Sequence, residues 1–203
     1  MSRGRPMAFE PELALEKAMY TFWLKGYEAT SIEDLTMAME IKRPSLYRTF
    51  GDKEALFLKT VDRYIETMGE APRRALEEAD DIRQAIEHFF LAAIANVTTP
   101  NQPTGCLVAC VLAAAAPLNE RFAEKIKECF KQTDQMICDR LDRAVADRQL
   151  PKNTDTQLLA QLINSFRHGF AVRARSGTQA ETLSLQARSV TQTLIPWQSN
   201  GDC

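Results

Sequence analysis

Apolar residues recur along this chain every three to four positions, the spacing of helices that bury one face, and no stretch alternates as a half-buried strand would. The pattern predicts helices at 11–25, 32–39, 42–50, from 53 toward Arg74 or only to 69–72, from 82, at 106–116, from about 120 to 148, at 155–175 and at 179–194. The chain is therefore predicted to be all-α, with about nine helices.

The segment 32–50 predicts two short helices joined by a tight turn. Ile32, Leu35 and Met39 form one apolar stripe, and Thr30 followed by Glu33 fits a capping box. The second helix starts near 42–44, where proline is tolerated because first-turn N–H groups have no intrahelical partner. Its apolar residues face inward and leave a basic, hydroxyl-rich outer face, which indicates a helix-turn-helix that reads DNA. An ordinary helical hairpin with a solvated basic face is the alternative.

The flanks strengthen the DNA-binding interpretation. An aromatic-rich helix ends in Lys25-Gly26-Tyr27 and is followed by Thr30-Ser31-Ile32, the two-helix element with Leu46-Tyr47 and Phe50, and then Asp52-Lys53-Glu54-Ala55-Leu56. With this ordered set, residues 9–65 resemble the DNA-binding domain of the TetR (tetracycline-repressor) family of bacterial transcription regulators. The resemblance covers about a quarter of the chain, and the residues that carry it run from Ala18 to Phe57.

The resemblance implies a helix-turn-helix domain at 1–65 and a larger helical domain for effector binding and dimerisation at 66–203. The chain departs from the family at Glu40, where glycine is usual in the turn. If Glu40 takes a positive φ, we expect a strain on the order of 1 kcal/mol. Lys42 is also a poor N-cap.

Candidate DNA contacts lie on the outer face and beside it. Arg43 and Ser45 are predicted to read base edges, and Lys42 a base or a phosphate. Thr30, Tyr47 and Lys53 are predicted to hold phosphates, and Lys53 lies in a first helical turn, where free N–H groups attract anions. The full predicted set is Thr30, Ser31, Lys42, Arg43, Pro44, Ser45, Tyr47, Arg48 and Lys53, with Arg3 and Arg5 in an N-terminal minor-groove arm.

The composition of the chain is compatible with a DNA-binding protein but does not by itself indicate one. The net charge of −2 does not indicate nucleic-acid binding, and residues 1–65 hold ten basic and ten acidic side chains, so the local clustering of basic residues is the stronger signal. The longest apolar run is too short to span a bilayer. The start of the chain lacks a secretory pattern, and five cysteines without a disulfide framework predict a reducing cytoplasm.

The second half predicts a binding cavity. Its candidate lining residues are aromatic, sulfur-containing or imidazole side chains, namely Phe89, Phe90, Cys106, Cys110, Met136, Phe166 and His168. They favour a small, mainly apolar effector held by one polar group such as His168 or Arg167. Oxidation or metal binding at Cys106 and Cys110, which share a helix face, is an alternative trigger, and a solid core without a pocket is another.

The last two helices predict a dimer interface. Leu158, Leu162, Ser165, Phe166, Gly169 and Val172 mark one face of the first, and Leu183, Ala187, Val190 and Leu194 mark one face of the second. The second stripe is predicted to pair with its symmetry mate in a four-helix arrangement. The alternative is that these faces complete the core of the monomer.

The sequence thus predicts a homodimeric, ligand-responsive repressor that binds double-stranded DNA, without catalytic residues, cofactor or metal. No P-loop or dinucleotide glycine motif is present. A helical enzyme or carrier, or a protein-interaction adaptor, are the rival interpretations; the segregated basic face favours the regulator.

Overall fold

The computed structural model of the protein describes residues 9–195, and all regular structure in that part is helical, as predicted. The helices are α1 Pro11–Lys25, α2 Ile32–Met39, α3 Arg43–Phe50, α4 Lys53–Glu78, α5 Ile82–Val97, α6 Ala113–Ala115, α7 Glu120–Ala146, α8 Thr156–Arg175 and α9 Ala180–Leu194. Arg3 and Arg5, the predicted minor-groove arm, lie outside the described residues.

Helices α1 to α3 pack with the start of α4 around an aromatic core. Phe22 and Trp23 of α1 are fully buried, as are Leu35 of α2 and Leu46 of α3. The Phe22 ring lies 5.0 Å from that of Phe57, edge to face, a favoured aromatic geometry. Because α3 is anchored by one apolar face, its opposite face is presented to solvent in a fixed orientation.

The start of α2 corrects the predicted capping box by one residue. Ser31, not Thr30, is the N-cap: its Oγ accepts the Asp34 backbone N–H at 3.0 Å, and Asp34 Oδ2 accepts the Ser31 N–H at 2.9 Å. The Thr30 hydroxyl instead donates to the Gly26 carbonyl at 2.6 Å, and the side chain is only 1% exposed. Thr30 therefore cannot offer its side chain to a phosphate, and its predicted role as a DNA contact is wrong in this conformation.

Helix α4 is continuous where the sequence left open a break at 69–72. Pro72 lies inside the helix and is buried. A proline has no N–H to donate to the carbonyl four residues earlier, and at Met68 that carbonyl instead accepts the Asn96 side-chain amide of α5 at 2.5 Å. Helix α4 also continues through residue 65, so the predicted domain boundary between residues 65 and 66 falls inside a helix. The division into two domains stays a prediction.

The apolar stretch 106–116, predicted as one short buried helix, is wound in three ways. A π-helical turn, Leu107–Leu112, leads into α6, and a 3-10 turn, Ala116–Leu118, follows. Leu107, Val111 and Leu112 are buried. Val108 of the π turn and Cys106, the residue just before it, lie on the wall of the cavity described below.

The predicted dimer stripe on α9 packs inside the monomer. Leu183 and Ala187 are fully buried, and Val190 and Leu194 are partly buried against the same core. The outward apolar surface lies instead on α8, where Leu158, Leu162, Phe166 and Val172 are 52%, 41%, 40% and 53% exposed, next to Leu185 of α9 at 62%. The assignment to an interface is therefore wrong for Leu183 and Ala187, because these two side chains are in the core, and it stays a prediction for Val190 and Leu194.

Candidate functional site

The outer face of α3 is the first candidate site. Lys42, Arg43, Pro44, Tyr47 and Arg48 are exposed, and Ser45 is half-buried. Leu46 and Phe50, on the opposite face, are buried and hold the helix against the aromatic core. No side chain caps the start of α3 at Lys42, in agreement with its prediction as a poor N-cap. Pro44 has no N–H, and the Ser45 N–H donates to the Lys42 carbonyl at 2.8 Å, so the basic side chains of this face, and not its first backbone N–H groups, are what it offers to DNA.

The turn between α2 and α3 depends on a strained residue. Glu40 adopts the left-handed conformation, with φ 56° and ψ 37°, so the strain that the sequence made conditional on a positive φ applies here. Its carboxylate accepts the Lys17 ammonium at 2.7 Å, and that hydrogen bond lowers the pKa of Glu40. The contact ties the turn to α1, although a surface ion pair of this kind contributes little stability.

Arg43 is held on the exposed face by neutral and acidic neighbours. Its Nη1 lies 3.4 Å from Glu33 Oε1, and its Nη2 lies 3.5 Å from the Tyr47 hydroxyl. The guanidinium carbon is 5.8 Å from the centre of the Tyr47 ring, within the range of a cation–π contact. Both contacts are long and lie at the surface, so they are weak. Replacing them with contacts to DNA would therefore cost little free energy.

Two further basic positions flank this face. Lys53, in the first turn of α4, places its ammonium 4.4 Å from the centre of the Tyr27 ring. Lys25 bonds Asp34 Oδ1 at 2.6 Å, and this bond, with those from Ser31, lowers the pKa of the Asp34 carboxyl to about 2. Ser31 itself is exposed at the N-terminus of α2, where a phosphate oxygen can approach it.

A cavity of about 100 Å³ in the C-terminal half is the second candidate site. It lies between α4, α5, the π turn, α7 and α8, and Cys106 and His168 are the predicted residues that line it. The rest of its wall is Tyr64, Ile65, Met68, Gly69, Pro72, Ala93, Asn96, Val97, Val108, Cys129, Gln132, Thr133, Arg167 and Ala171. The alternative of a solid core without a pocket is therefore not what the structure has.

Five of the predicted lining residues lie elsewhere. Phe90 is buried against Phe170, with ring centres 5.4 Å apart. Phe166 is 40% exposed on the outer side of α8. The Cys110 sulfur faces the Ala171 carbonyl at 3.9 Å. Phe89 and Met136 border a shallower neighbouring groove. Helical periodicity predicts which residues share a helix face but not what packs against that face. The prediction that these five residues line this cavity is therefore wrong.

The polar residues of the cavity were mostly missed. Asn96 and Gln132 were not predicted at all, whereas Thr133 lies on the apolar face predicted for the long helix, and Arg167 and His168 were considered as polar groups. Burial, with Arg167 alongside, lowers the pKa of His168 to about 3, so its imidazole is neutral at physiological pH.

The cysteines near the cavity also have shifted pKa values. Burial raises the pKa of Cys110, and that of Cys129 to about 11. Protonated thiols are weak nucleophiles, so the raised pKa disfavours oxidation at Cys110.

A set of polar contacts joins the C-terminal helices to the end of α1. Arg175 Nη1, at the end of α8, donates to the Trp23 carbonyl at 2.8 Å and to that of Thr104 at 3.2 Å. The Trp23 indole N–H donates to the Gly105 carbonyl at 2.9 Å. Gly105 directly precedes the cavity residue Cys106, so the Trp23 indole contacts the backbone next to the cavity wall.

Within residues 9–195, no group of three or more acidic, histidine or cysteine side chains is arranged to hold a metal. No helix in the same range is long and apolar enough to cross a membrane.

Comparison with known proteins identifies both halves of the chain. Residues 14–60 match the sequence model described as bacterial regulatory proteins, tetR family, and residues 83–190 match the tetracyclin repressor-like C-terminal domain. The chain is 34% identical over 197 residues to the HTH-type transcriptional repressor ComR of Escherichia coli strain K12, covering 96% of this chain and 93% of that relative. It is 25% identical over 184 residues to the repressor BdcR of the same organism, covering 91% and 88%.

Solved structures agree in fold. The TetR family regulator CifR, as a cysteine mutant complexed with a 26 bp double-strand operator DNA, superposes with a TM-score of 0.86 at 31% identity, covering 96% of this chain and 100% of that one. A regulator from Chloroflexus aurantiacus superposes with a TM-score of 0.81 at 23% identity, covering 92% and 94%. The latter likeness bears on the fold alone.

Proposed function

This chain belongs to the TetR family of bacterial regulatory proteins and is a DNA-binding transcriptional regulator, and from that premise we propose that it is a ligand-responsive repressor that binds a palindromic operator as a homodimer. The observation that carries the proposal is the outer face of α3. It is basic and hydroxyl-bearing, it is anchored from behind by Leu46 and Phe50, and its contacts within the chain are weak enough for DNA to replace.

The residue roles in this proposal follow the geometry of that face. Arg43 and Ser45 read base edges, with Lys42 at a base or a phosphate, while Tyr47, Arg48 and Lys53 hold phosphates and set the register. Pro44 lies in the first turn of α3 and Ser31 at the start of α2, and both face the duplex. Thr30 contributes by packing behind this surface.

The dimer surface in this proposal is the outward face of α8 with Leu185 of α9. Four large apolar side chains spaced along one helix form an exposed stripe, and soluble monomers seldom leave such a patch uncovered. Two copies joined there would present two α3 helices to successive major grooves, about 34–36 Å apart.

The cavity is the proposed effector site. An occupant would shift the balance between DNA-competent and released forms only by binding one form more tightly than the other. The Arg175 and Gly105 contacts with the end of α1 supply the connection to the DNA-binding half.

Selection of bound sequences from random duplex DNA with purified protein tests the repressor proposal. We expect a two-fold symmetric consensus bound with an affinity that falls steeply as salt rises. The same sample in sedimentation should be dimeric. A protein that binds or turns over a small molecule but has no salt-sensitive DNA affinity would instead be a helical carrier or enzyme, and one whose α3 face binds an acidic protein would be an adaptor.

A further inference from the structure

Arg167 is a cation at the wall of the cavity that lacks an acidic partner. Its Nε donates to the Asn164 Oδ1 at 3.0 Å, and its Nη2 lies 3.1 Å from His168 Nε2. Among the described residues no carboxylate lies within the 4.0 Å of an ion pair, and no hydrogen bond uses Nη1. By contrast, Arg73 and Arg121, both on exposed surfaces, are paired with glutamates. The cavity therefore has one guanidinium with donors to spare.

The groups around Arg167 do not neutralise it. His168 is uncharged, since burial lowers its pKa to about 3, so it acts as an acceptor for the guanidinium and not as a counter-ion. Asp134 reaches Arg167 only through Asn164, whose amide donates to the Asp134 carboxylate at 2.7 Å. Glu66 and Glu70 border the adjoining groove together with Arg167, but neither carboxylate lies within the 4.0 Å of an ion pair with it, and Glu70 is paired with Arg73 at 2.9 Å. The charge at this wall remains open to an anion from solution.

Apart from the neutral polar side chains of Asn96, Gln132 and Thr133, most of the remaining wall is apolar and is suited to a short aliphatic group. Ile65, Met68, Val97 and Val108 line it together with the protonated thiol of Cys129. Its volume of about 100 Å³ is smaller than that of an engineered protein cavity of about 150 Å³ that holds benzene. An occupant of about four to six non-hydrogen atoms is therefore the size that fits.

We propose that the effector is a short-chain monocarboxylate, whose carboxylate pairs with Arg167 and whose aliphatic tail lies among the apolar residues of α4 and α5. The inference rests on the proposed effector role of the cavity and changes the expected ligand from mainly apolar to anionic at one end. A charge-assisted pair with a guanidinium is shorter and stronger than a neutral hydrogen bond, and it is favoured where part of the surrounding wall excludes water.

Butanoate and its uncharged isostere butanamide separate the charge from the shape. Calorimetry on the full chain at constant ionic strength, with chloride as the balancing anion, should give butanoate an affinity at least roughly ten-fold tighter than butanamide. Arg167→Met keeps the length of the side chain and removes its charge, so it should weaken butanoate by roughly ten-fold or more and leave butanamide within about three-fold. Arg173→Met, at an exposed position of the same helix, is the matched control and should change neither.

The outcomes separate this inference from the proposed function. Equal affinities for the two compounds in the wild-type protein, or no binding of butanoate at all, overturn the carboxylate class whether or not the variant folds. Operator binding is measured on the same samples without ligand: if it is intact while butanoate fails, the inference fails and the repressor proposal stands. If no duplex is bound at any salt concentration, the repressor proposal itself fails.

Discussion

At the scale of single residues, side chains near the proposed DNA-binding face of α3 have partners within the protein that would compete with DNA or that fix the local structure. Arg43 lies between Glu33 and Tyr47, and Asp34 joins Lys25 to the cap of α2. The contacts of Arg43 can be exchanged for DNA, whereas those of Asp34 hold α2 against α1. Substitutions at the two positions should therefore have different consequences.

Replacing Arg43 should change specificity. If its guanidinium reads a guanine edge, Arg43→Ala should cost about 1–3 kcal/mol per half-site and relax the preference at one base position. Lys53→Ala, the control, removes a proposed phosphate contact and should weaken all sequences alike and flatten the salt dependence. Selection from random duplexes measures both, and identical sequence preferences for wild type and Arg43→Ala would remove Arg43 from base reading.

Asp34 should make stability depend on pH. Its pKa is lowered from 3.8 to about 2 in the folded protein, chiefly by the Lys25 hydrogen bond and then by those of Ser31. A lowered carboxyl pKa stabilises the fold above the unfolded value, and this contribution is lost as pH falls from about 4 to about 2. Denaturation midpoints of wild type and Asp34→Asn should thus differ at pH 7 and converge near pH 2; a difference independent of pH contradicts the assignment.

At the scale of elements, one side chain allows a helix to continue through a proline. Pro72 has no N–H to donate to the Met68 carbonyl, and the Asn96 side-chain amide donates a hydrogen bond to that carbonyl instead. The same two helices border the cavity. Because the donor to Met68 comes from α5 and not from α4 itself, this hydrogen bond also fixes the position of α4 relative to α5.

A double-mutant cycle tests that exchange. Asn96→Ala alone leaves the Met68 carbonyl without a partner and should lower the free energy of unfolding by about 1–3 kcal/mol. In a Pro72→Ala background the restored N–H at residue 72 can donate to Met68, so the same change should cost less. Chemical denaturation of the four proteins gives the coupling, and equal costs in both backgrounds would show that the Asn96 bond does not replace the missing one.

The apolar faces of α8 and α9 should respond differently to charge. Leu162→Asp lies on the exposed stripe, so we expect a folded monomer, since an unpaired charge at a buried interface costs about 3–5 kcal/mol. Ala187→Asp lies inside the monomer and should unfold it instead. Sedimentation with circular dichroism distinguishes the two, and a Leu162→Asp protein that stays dimeric would remove the α8 stripe from the interface.

At the scale of the whole molecule, Gly105 connects the cavity wall to the end of α1. Its φ is +82°, and a Cβ there would lie 2.9 Å from the Arg175 Cβ and 3.1 Å from the Ala171 carbonyl. Its own carbonyl accepts the Trp23 indole. A side chain at this position would therefore press on the contacts between the two halves of the protein.

Gly105→Ala should destabilise the protein by more than its backbone conformation alone explains. Gly177→Ala is the matched control, with φ +96° and nothing within 4 Å of an added Cβ. Each should lose about 1 kcal/mol from the left-handed conformation, and Gly105→Ala should lose more because backbone and side-chain atoms must move. Denaturant unfolding of the two variants measures the difference, and equal losses would mean that the Arg175 contact yields without cost.

The sequence by itself determined the helical class, most helix bounds and the DNA-binding element. These follow from local signals, namely apolar spacing, caps and turn residues. The resemblance marked Glu40 as a departure from glycine, and the structure shows that the residue does take the left-handed conformation. Only the tertiary structure decided which apolar faces are covered, because periodicity assigns residues to a face without naming the surface that packs against it. Thus Leu183 and Ala187 are in the core, while Leu162 is outside. The cavity likewise required the fold, since Asn96, Gln132 and Arg167 come from three helices and meet only when these pack together.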